Sequence, residues 1–305
     1  MMTTSSIRSL LVALIACTVG QQVQMADAFG VSEPVSALLK THAADITSLK
    51  EETKSIVGAD AFEQVPYNND VFYLRYCLEE KGVEDLKKTL AWRQGEGKAM
   101  CDAGTVAFQA ATADGGWNNA PIRDAAPSAA IVNEYINENT GFTTSSSKGD
   151  LLYCIRAGKI DDNELMSKIS VDDLVTFFLY SKEIIALAAN DRSLKDDRLA
   201  YVITVNDLNG LKLIGGDATF RSALGASSKQ ANELYPALGG PTLLLNLPRL
   251  VSALVKLFTP LFPEKVRERI KFEQGPLKNV EDLVSVAPGG KDRDAFLADI
   301  DGIVY

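Results

Sequence analysis

Past residue 30, apolar positions recur at helical spacing. Val35, Leu38, Leu39, Ile46, Leu49, Ile56 and Val57 fall on one face, with Lys40, Asp45, Lys50 and Glu51 on the other, the signature of an amphipathic helix. Ser32 stands at its N-cap, and Pro34 falls in the first turn, where its missing N–H costs nothing. Two more helical stretches are predicted at about 70–78 and 83–93, the latter ending near Gly95 and Gly97. Together these outline an N-terminal helical region over 29–101. Residues 102–127 carry Asp114-Gly115-Gly116, Asn118-Asn119 and two prolines, and read as a poorly ordered connector. Thr143 to Ser147 reads as a polar loop.

From about residue 148 the pattern alternates between strand and helix. Leu151 to Ile155 reads as a strand, Val171 to Ala189 as a long apolar helix, and Leu199 to Val205 as a second, almost continuously apolar strand. Residues 216–234 read as a helix, Thr242 to Asn246 as a third strand and Arg269 to Phe272 as a short fourth. This alternation predicts an α/β domain over 128–290, a mixed or parallel sheet flanked by helices, with a tail at 291–305. Within it, Leu250, Val251, Leu254, Val255, Phe258, Leu261 and Phe262 share one stripe, interrupted only by Arg249, Ser252 and Lys256. Two readings stay open for this helix. Either it packs into the core, or its apolar face forms a lid over a lipid and meets a membrane.

Composition narrows the function. With 46% hydrophobic and 23% charged residues, the chain can bury a sizeable core. A net charge of −9 without a Lys/Arg run argues against nucleic acid, whose binding is driven by phosphate neutralisation. Cys17, Cys77, Cys101 and Cys154 contain no C-x-x-C pair, and His42 is the one histidine, so a Cys/His zinc site is not expected. The thiols read as buried and inert, and His42, on the apolar stripe, as a neutral packed side chain.

Residues 1–28 have the layout of a secretory signal peptide: Arg8, an apolar run from Leu10 to about Val19, and Ala26-Asp27-Ala28 at the cleavage site. Phe29 follows, and Ala-x-Ala-Phe resembles the bipartite presequence of plastid proteins in diatoms and related algae. Entry to the secretory pathway is expected, with a plastid as destination or, failing that, the endomembrane lumen or the exterior. No later segment offers about 18 uninterrupted apolar residues, the length a membrane-spanning helix needs.

The chain lacks the G-x-x-x-x-G-K-[ST], G-x-G-x-x-G and G-x-S-x-G motifs. A catalytic triad would have to use His42, far from the α/β region in sequence. The pairs Asp161-Asp162, Asp172-Asp173 and Asp196-Asp197 read as helix caps or solvated faces, because adjacent helical residues do not face one another. No catalytic residue, cofactor or metal is expected.

A set of short motifs, in order, carries a resemblance. Asp70-Val71-Phe72-Tyr73-Leu74-Arg75-Tyr76 is followed by Leu86, Leu90 and Trp92-Arg93. Asp207-Leu208-Asn209-Gly210 closes an apolar strand. Tyr235-Pro236 leads through another strand to Asn246-Leu247-Pro248, and Arg269-Ile270-Lys271-Phe272 and Pro288-Gly289-Gly290 come after. The set resembles the CRAL-TRIO lipid-binding and transfer family, of the phosphatidylinositol-transfer and tocopherol-transfer type. The resemblance implies a sheet that floors a lipid pocket and a mobile lid helix at 248–262. It implies ligand contacts from Tyr153, Ile155, Phe178, Val202, Val205, Leu244, Asn246, Leu250, Leu254, Phe258 and Phe262, with Arg269 and Lys271 as head-group candidates. The expected partner is one lipid-like molecule, carried by a monomer in transient contact with membranes. The alternative is a non-enzymatic protein-interaction module that keeps the fold. In phosphatidylinositol-binding members an acidic residue follows Tyr-Pro; here that position is Ala237 and Arg269 replaces a lysine. The ligand is therefore left open between a phospholipid and an isoprenoid, pigment or tocopherol-like molecule.

Overall fold

A computed structural model describes residues 33–79, 81–113, 117–137, 140–145, 151–210, 216–246 and 270–273. Residues 1–28, Ser32, the 248–262 stripe, Arg269 and the terminal glycines lie outside these residues.

The expected first helix is two helices, α1 (Val35–Thr41) and α2 (Ala43–Val57), which meet at His42. The buried side of the stripe survives the break through Val35, Ile46 and Leu49. The start of α1 is capped from a distance. Asp197 Oδ1 accepts from the Ser36 N–H at 2.7 Å and Asp197 Oδ2 from the Ser36 hydroxyl at 2.9 Å. A carboxylate there satisfies N–H groups that the helix itself leaves unpaired.

After α3 (Ala59–Phe62) come α4 (Asp70–Leu78) and α5 (Val83–Gln94). Six consecutive residues of α4, Val71 to Tyr76, are buried, so this helix is the centre of the N-terminal region rather than a surface element. Its neighbours in that apolar cluster include Val35, Leu49, Leu86 and Leu90, with Leu199, Tyr201 and Ala237 from the α/β part.

The expected connector is instead helical: α6 (Lys98–Thr112), α7 (Asn119–Asp124) and, just beyond, α8 (Ala129–Tyr135). The buried face of α6 is Met100, Cys101, Gly104, Ala107, Phe108 and Ala111, at 3–4 residue spacing but built mostly from small side chains, which a search for large apolar residues passes over. Asn118, read as a loop residue, caps α7 by accepting from the Ala120 N–H at 2.9 Å. Pro121 sits in the first turn, where no hydrogen bond is lost.

The α/β part contains β1 (Gly141–Ser145), β2 (Leu151–Arg156), α9 (Asp162–Lys168), α10 (Val171–Lys195), β3 (Val202–Asp207), α11 (Ala218–Leu234), β4 (Gly239–Leu245) and β5 (Ile270–Glu273). The sheet order is β1-β2-β3-β4-β5, with β1 antiparallel to β2 and the other pairs parallel. The expected polar loop is thus strand through Ser145. Its threonines suit an edge strand, and polarity hid it. Asp161 caps α9 by accepting from the Glu164 N–H at 3.0 Å, and Ser170 with Asp173 forms a capping box at the start of α10. The cap reading of these acidic pairs therefore holds at Asp161, Asp173 and Asp197. No helix among the described residues is long and apolar enough to cross a membrane.

Because β2, β3 and β4 are parallel and follow one another in sequence order, right-handed crossovers place the described connecting helices on the same face of the sheet. The packing agrees. Leu151, Tyr153 and Val202 share one core with Phe177, Phe178 and Ile184 of α10 and Phe220 and Ala223 of α11, and Lys182 of α10 lies over the Tyr153 ring at 5.4 Å.

Two buried arginines fasten the N-terminal helices to this layer. Arg75 donates to Asn190 Oδ1 at 2.7 Å, to the Ala200 carbonyl at 2.7 Å and to the Ala237 carbonyl. Arg93 makes a bidentate pair with Glu183, at 2.7 and 2.6 Å. Burial alone would lower the pKa of the Arg93 guanidinium, but the Glu183 charge raises it well above its ordinary value. Gly104 lets α6 approach this pair: a Cβ there would stand 3.0 Å from Glu183 Cγ.

Candidate ligand site on the helix side of the sheet

Side chains alternate across a strand, and directly paired residues of parallel strands share a face. The register therefore sorts β2–β4 into two surfaces. Toward the helices stand the rows Tyr153–Thr204–Thr242 and Ile155–Asn206–Leu244, preceded by Leu151 and Val202. On the back stand Cys154 beside Val205, then the row Arg156–Asp207–Leu245, with Ile203 before them.

The two surfaces differ in closure. On the back, Cys154, Val205 and Leu245 are 0% exposed and Ile203 1%, and even Arg156 and Asp207 are buried. On the helix side the beginnings of the strands are buried too, as are Thr242 and Leu244 of β4, but Ile155 of β2 and Thr204 and Asn206 of β3 are only half-buried. The Asn206 side-chain nitrogen is itself buried and has no hydrogen-bond partner among the described residues. A half-open apolar floor with a few polar groups set into it is what a hydrophobic ligand with a small polar part requires. The walls are α10 and α11, whose Phe178 and Phe220 rings meet edge to face at 6.4 Å.

The back surface is held by the ends of β3 and β4. Asp207 Oδ1 accepts from the Asn209 N–H at 3.0 Å and from Asn246 Nδ2 at 2.8 Å. Gly210 completes the turn at φ 76°, a conformation that favours glycine. Asn246 has φ 54°, which asparagine tolerates better than most residues. Asp-x-x-Gly and Asn-x-Pro thus meet in space, and Asp207 and Asn246 fasten one strand end to the next. Burial, then the Asp207 charge, pushes the Cys154 thiol up to about 12, with Arg156 opposing. The thiol is neutral and part of an apolar layer, and Cys77, Cys101 and Cys154 are all free.

Of the residues expected to touch ligand, Tyr153, Ile155, Val202 and Leu244 are brought together on the helix-side face, with Phe178 above it. Val205 does not join them. It is three positions from Val202, so alternation turns it to the back, where it is fully buried. Asn246 lies at the rim, tied to Asp207. Lys271 lies in β5, its backbone opposite Leu243. Leu250, Leu254, Phe258, Phe262 and Arg269 fall outside the described residues. Thr204, Asn206, Thr242 and Phe220 were missed. Counting by twos from Val202 would have found the first two, but β3 reads as one apolar run and hides its parity. Ala237 sits at the seam with the N-terminal helices, its N–H donating to Glu79 at 2.7 Å and its carbonyl accepting from Arg75.

The model of the CRAL/TRIO domain matches residues 139–285, a span that runs from just before β1 to beyond β5. The solved structure of Sfh5 aligns over 98% of this chain and 98% of its own, at 14% identity and a TM-score of 0.36, a likeness too low to argue from. No curated protein sequence matches the chain. Residues 139–285, with their mixed sheet and one-sided helical layer, thus form a region similar to the CRAL/TRIO domain.

Proposed function

We propose that the chain holds one lipid-like molecule between the helix-side face of its sheet and the α10–α11 layer, and transfers or presents it at membranes. The observation that carries this reading is the contrast in closure: Cys154, Ile203 and Val205 on the back are buried, whereas Ile155, Thr204 and Asn206 remain half-buried beneath a helical layer. Each methylene moved from water onto such a floor contributes about 0.8 kcal/mol. A long chain therefore has a strong reason to occupy it and a high barrier to leaving without a membrane nearby. Asn206 and Thr204 supply hydrogen bonds to a small polar part of the ligand.

The lid is residues 248–262. Its apolar stripe through Leu250, Leu254, Phe258 and Phe262 would cover the bound molecule and offer a surface to a bilayer. Residues 1–29 direct the protein into the secretory route and on to a plastid, which a fluorescent fusion of that segment would display.

The test is transfer between vesicles. The full chain is expected to move its co-purified lipid from donor to acceptor vesicles, and a variant with Leu254 and Phe258 both replaced by Asp is expected to lose that transfer. Unchanged transfer by the double variant removes the lid, and no transfer by the unaltered chain removes the carrier role.

A further inference from the structure

The sequence offers no metal motif, yet the fold gathers three ligand types at one point of the N-terminal helices. His42 lies at the joint of α1 and α2, Asp45 lies one turn further along, and Cys77 comes from the last turn of α4. One imidazole nitrogen, one carboxylate oxygen and the thiol sulfur all lie within 4.8 Å of one another. We propose that His42, Asp45 and Cys77 form a three-ligand site for a borderline divalent cation of the zinc class, with the fourth position open to water or an outside ligand.

The donor set fits. Nitrogen, oxygen and sulfur together suit zinc rather than calcium or magnesium, which take oxygen ligands. Donors about 2.0–2.3 Å from a tetrahedral zinc lie roughly 3.3–3.8 Å from one another. Closing from 4.8 Å or less is within reach of a side-chain rotation, because Asp45 is exposed and free to turn, and His42 and Cys77 are only half-buried. His42 Nδ1 already stands 3.9 Å from Asp45 Oδ2.

Charge fits as well. The thiolate and the carboxylate balance the dication, and the imidazole binds neutral. Without a cation, burial and then the nearby Asp45 charge push the Cys77 thiol up to about 11. On binding, the thiol proton leaves to solvent and the sulfur lone pair goes to the metal; nothing is oxidised or reduced. Two of the ligands lie at the α1–α2 joint and the third on α4, so the ion would fasten that joint to the buried central helix.

Cobalt(II) is the probe. Titrated into the full purified chain, it is expected to bind at one equivalent, giving a thiolate-to-cobalt absorption in the near ultraviolet and the strong visible bands of tetrahedral cobalt, both removed by added zinc. C77S is expected to lose the near-ultraviolet band. H42Q, which leaves the thiol in place, is expected to weaken cobalt affinity by at least tenfold, since even outer-sphere changes cost about 10–100-fold. Circular dichroism checks that both variants keep their helices, and H42Q alters only a half-buried side chain should C77S fail to fold. No thiolate band in the unaltered chain, a band that persists in C77S, or unchanged affinity in H42Q overturns the site.

Discussion

The two faces of one sheet have been finished differently. The back of β2–β4 carries Cys154, Ile203, Val205 and Leu245, all buried, together with a buried arginine and a buried aspartate. The helix-side face is equally closed at Leu151 and Val202 and along β4 at Thr242 and Leu244, but loosens at Ile155, Thr204 and Asn206. Fully filling both faces would give a more stable domain with nowhere to put a ligand. Leaving one face partly open confines the cost to a few side chains, while the back face and the arginine-locked seam hold the frame.

That contrast is sharpest where stability alone is at stake. Glu183→Ala leaves Arg93 charged and buried without its counter-charge, and is expected to destabilise the fold by about 3–5 kcal/mol. Urea unfolding of the purified variant measures it, and a loss under 1 kcal/mol would mean the pair does not lock the helices to the sheet. Leu245→Ala opens a cavity on the closed back and is expected to cost about 2–5 kcal/mol, with lipid content per folded molecule unchanged.

Ile155→Ala, on the half-open face, should reverse the balance. Its cost in urea unfolding is expected to be below that of Leu245→Ala, because a half-buried side chain loses less on truncation, while lipid retention falls. Equal stability losses at the two positions would erase the distinction between the faces.

The smallest expected effect lies at the edge of the wall helix α11. Asp217 accepts from the Thr219 and Phe220 N–H groups at 2.7 and 2.9 Å. The Thr219 hydroxyl, then the Phe220 N–H, hold its carboxyl below the usual range. A depressed folded pKa means the contribution is present above the unfolded carboxylate's pKa and is lost as pH falls through the folded one. Asp217→Ala is expected to cost about 0.5–2 kcal/mol at neutral pH. Melting curves of the variant and the parent should draw together as the medium is acidified, and a gap that stays constant would deny the cap its charge.

How far the sequence reached follows from side-chain size and parity. The helices at α5 and α10 and strands β2, β3 and β4 were legible because large apolar residues mark them at clear spacing, although α10 continues to Lys195, past the expected Ala189. Helix α6 was not, because Gly104, Ala107 and Ala111 mark its buried face with small side chains. The cap at the start of α1 comes from Asp197, which is distant in sequence. Strand β1 is polar because it is an edge. The ordered motifs pointed to the same domain as the family model, and five of the expected residues, Tyr153, Ile155, Val202, Leu244 and Asn246, lie on the helix-side face or its border, but an unbroken apolar run at β3 gave no means to separate Val202 from Val205. Nor could any spacing rule join Cys77 to His42, since only the packing of α4 against the α1–α2 joint brings them together.

The most direct measurement is native mass spectrometry of the full chain beside a Thr204→Trp variant, which fills the half-open floor and leaves the back face untouched. The unaltered chain should carry one lipid per molecule, and the folded variant none. A chain without lipid, or a Thr204→Trp variant that retains its full complement, would place the ligand elsewhere or deny that there is one.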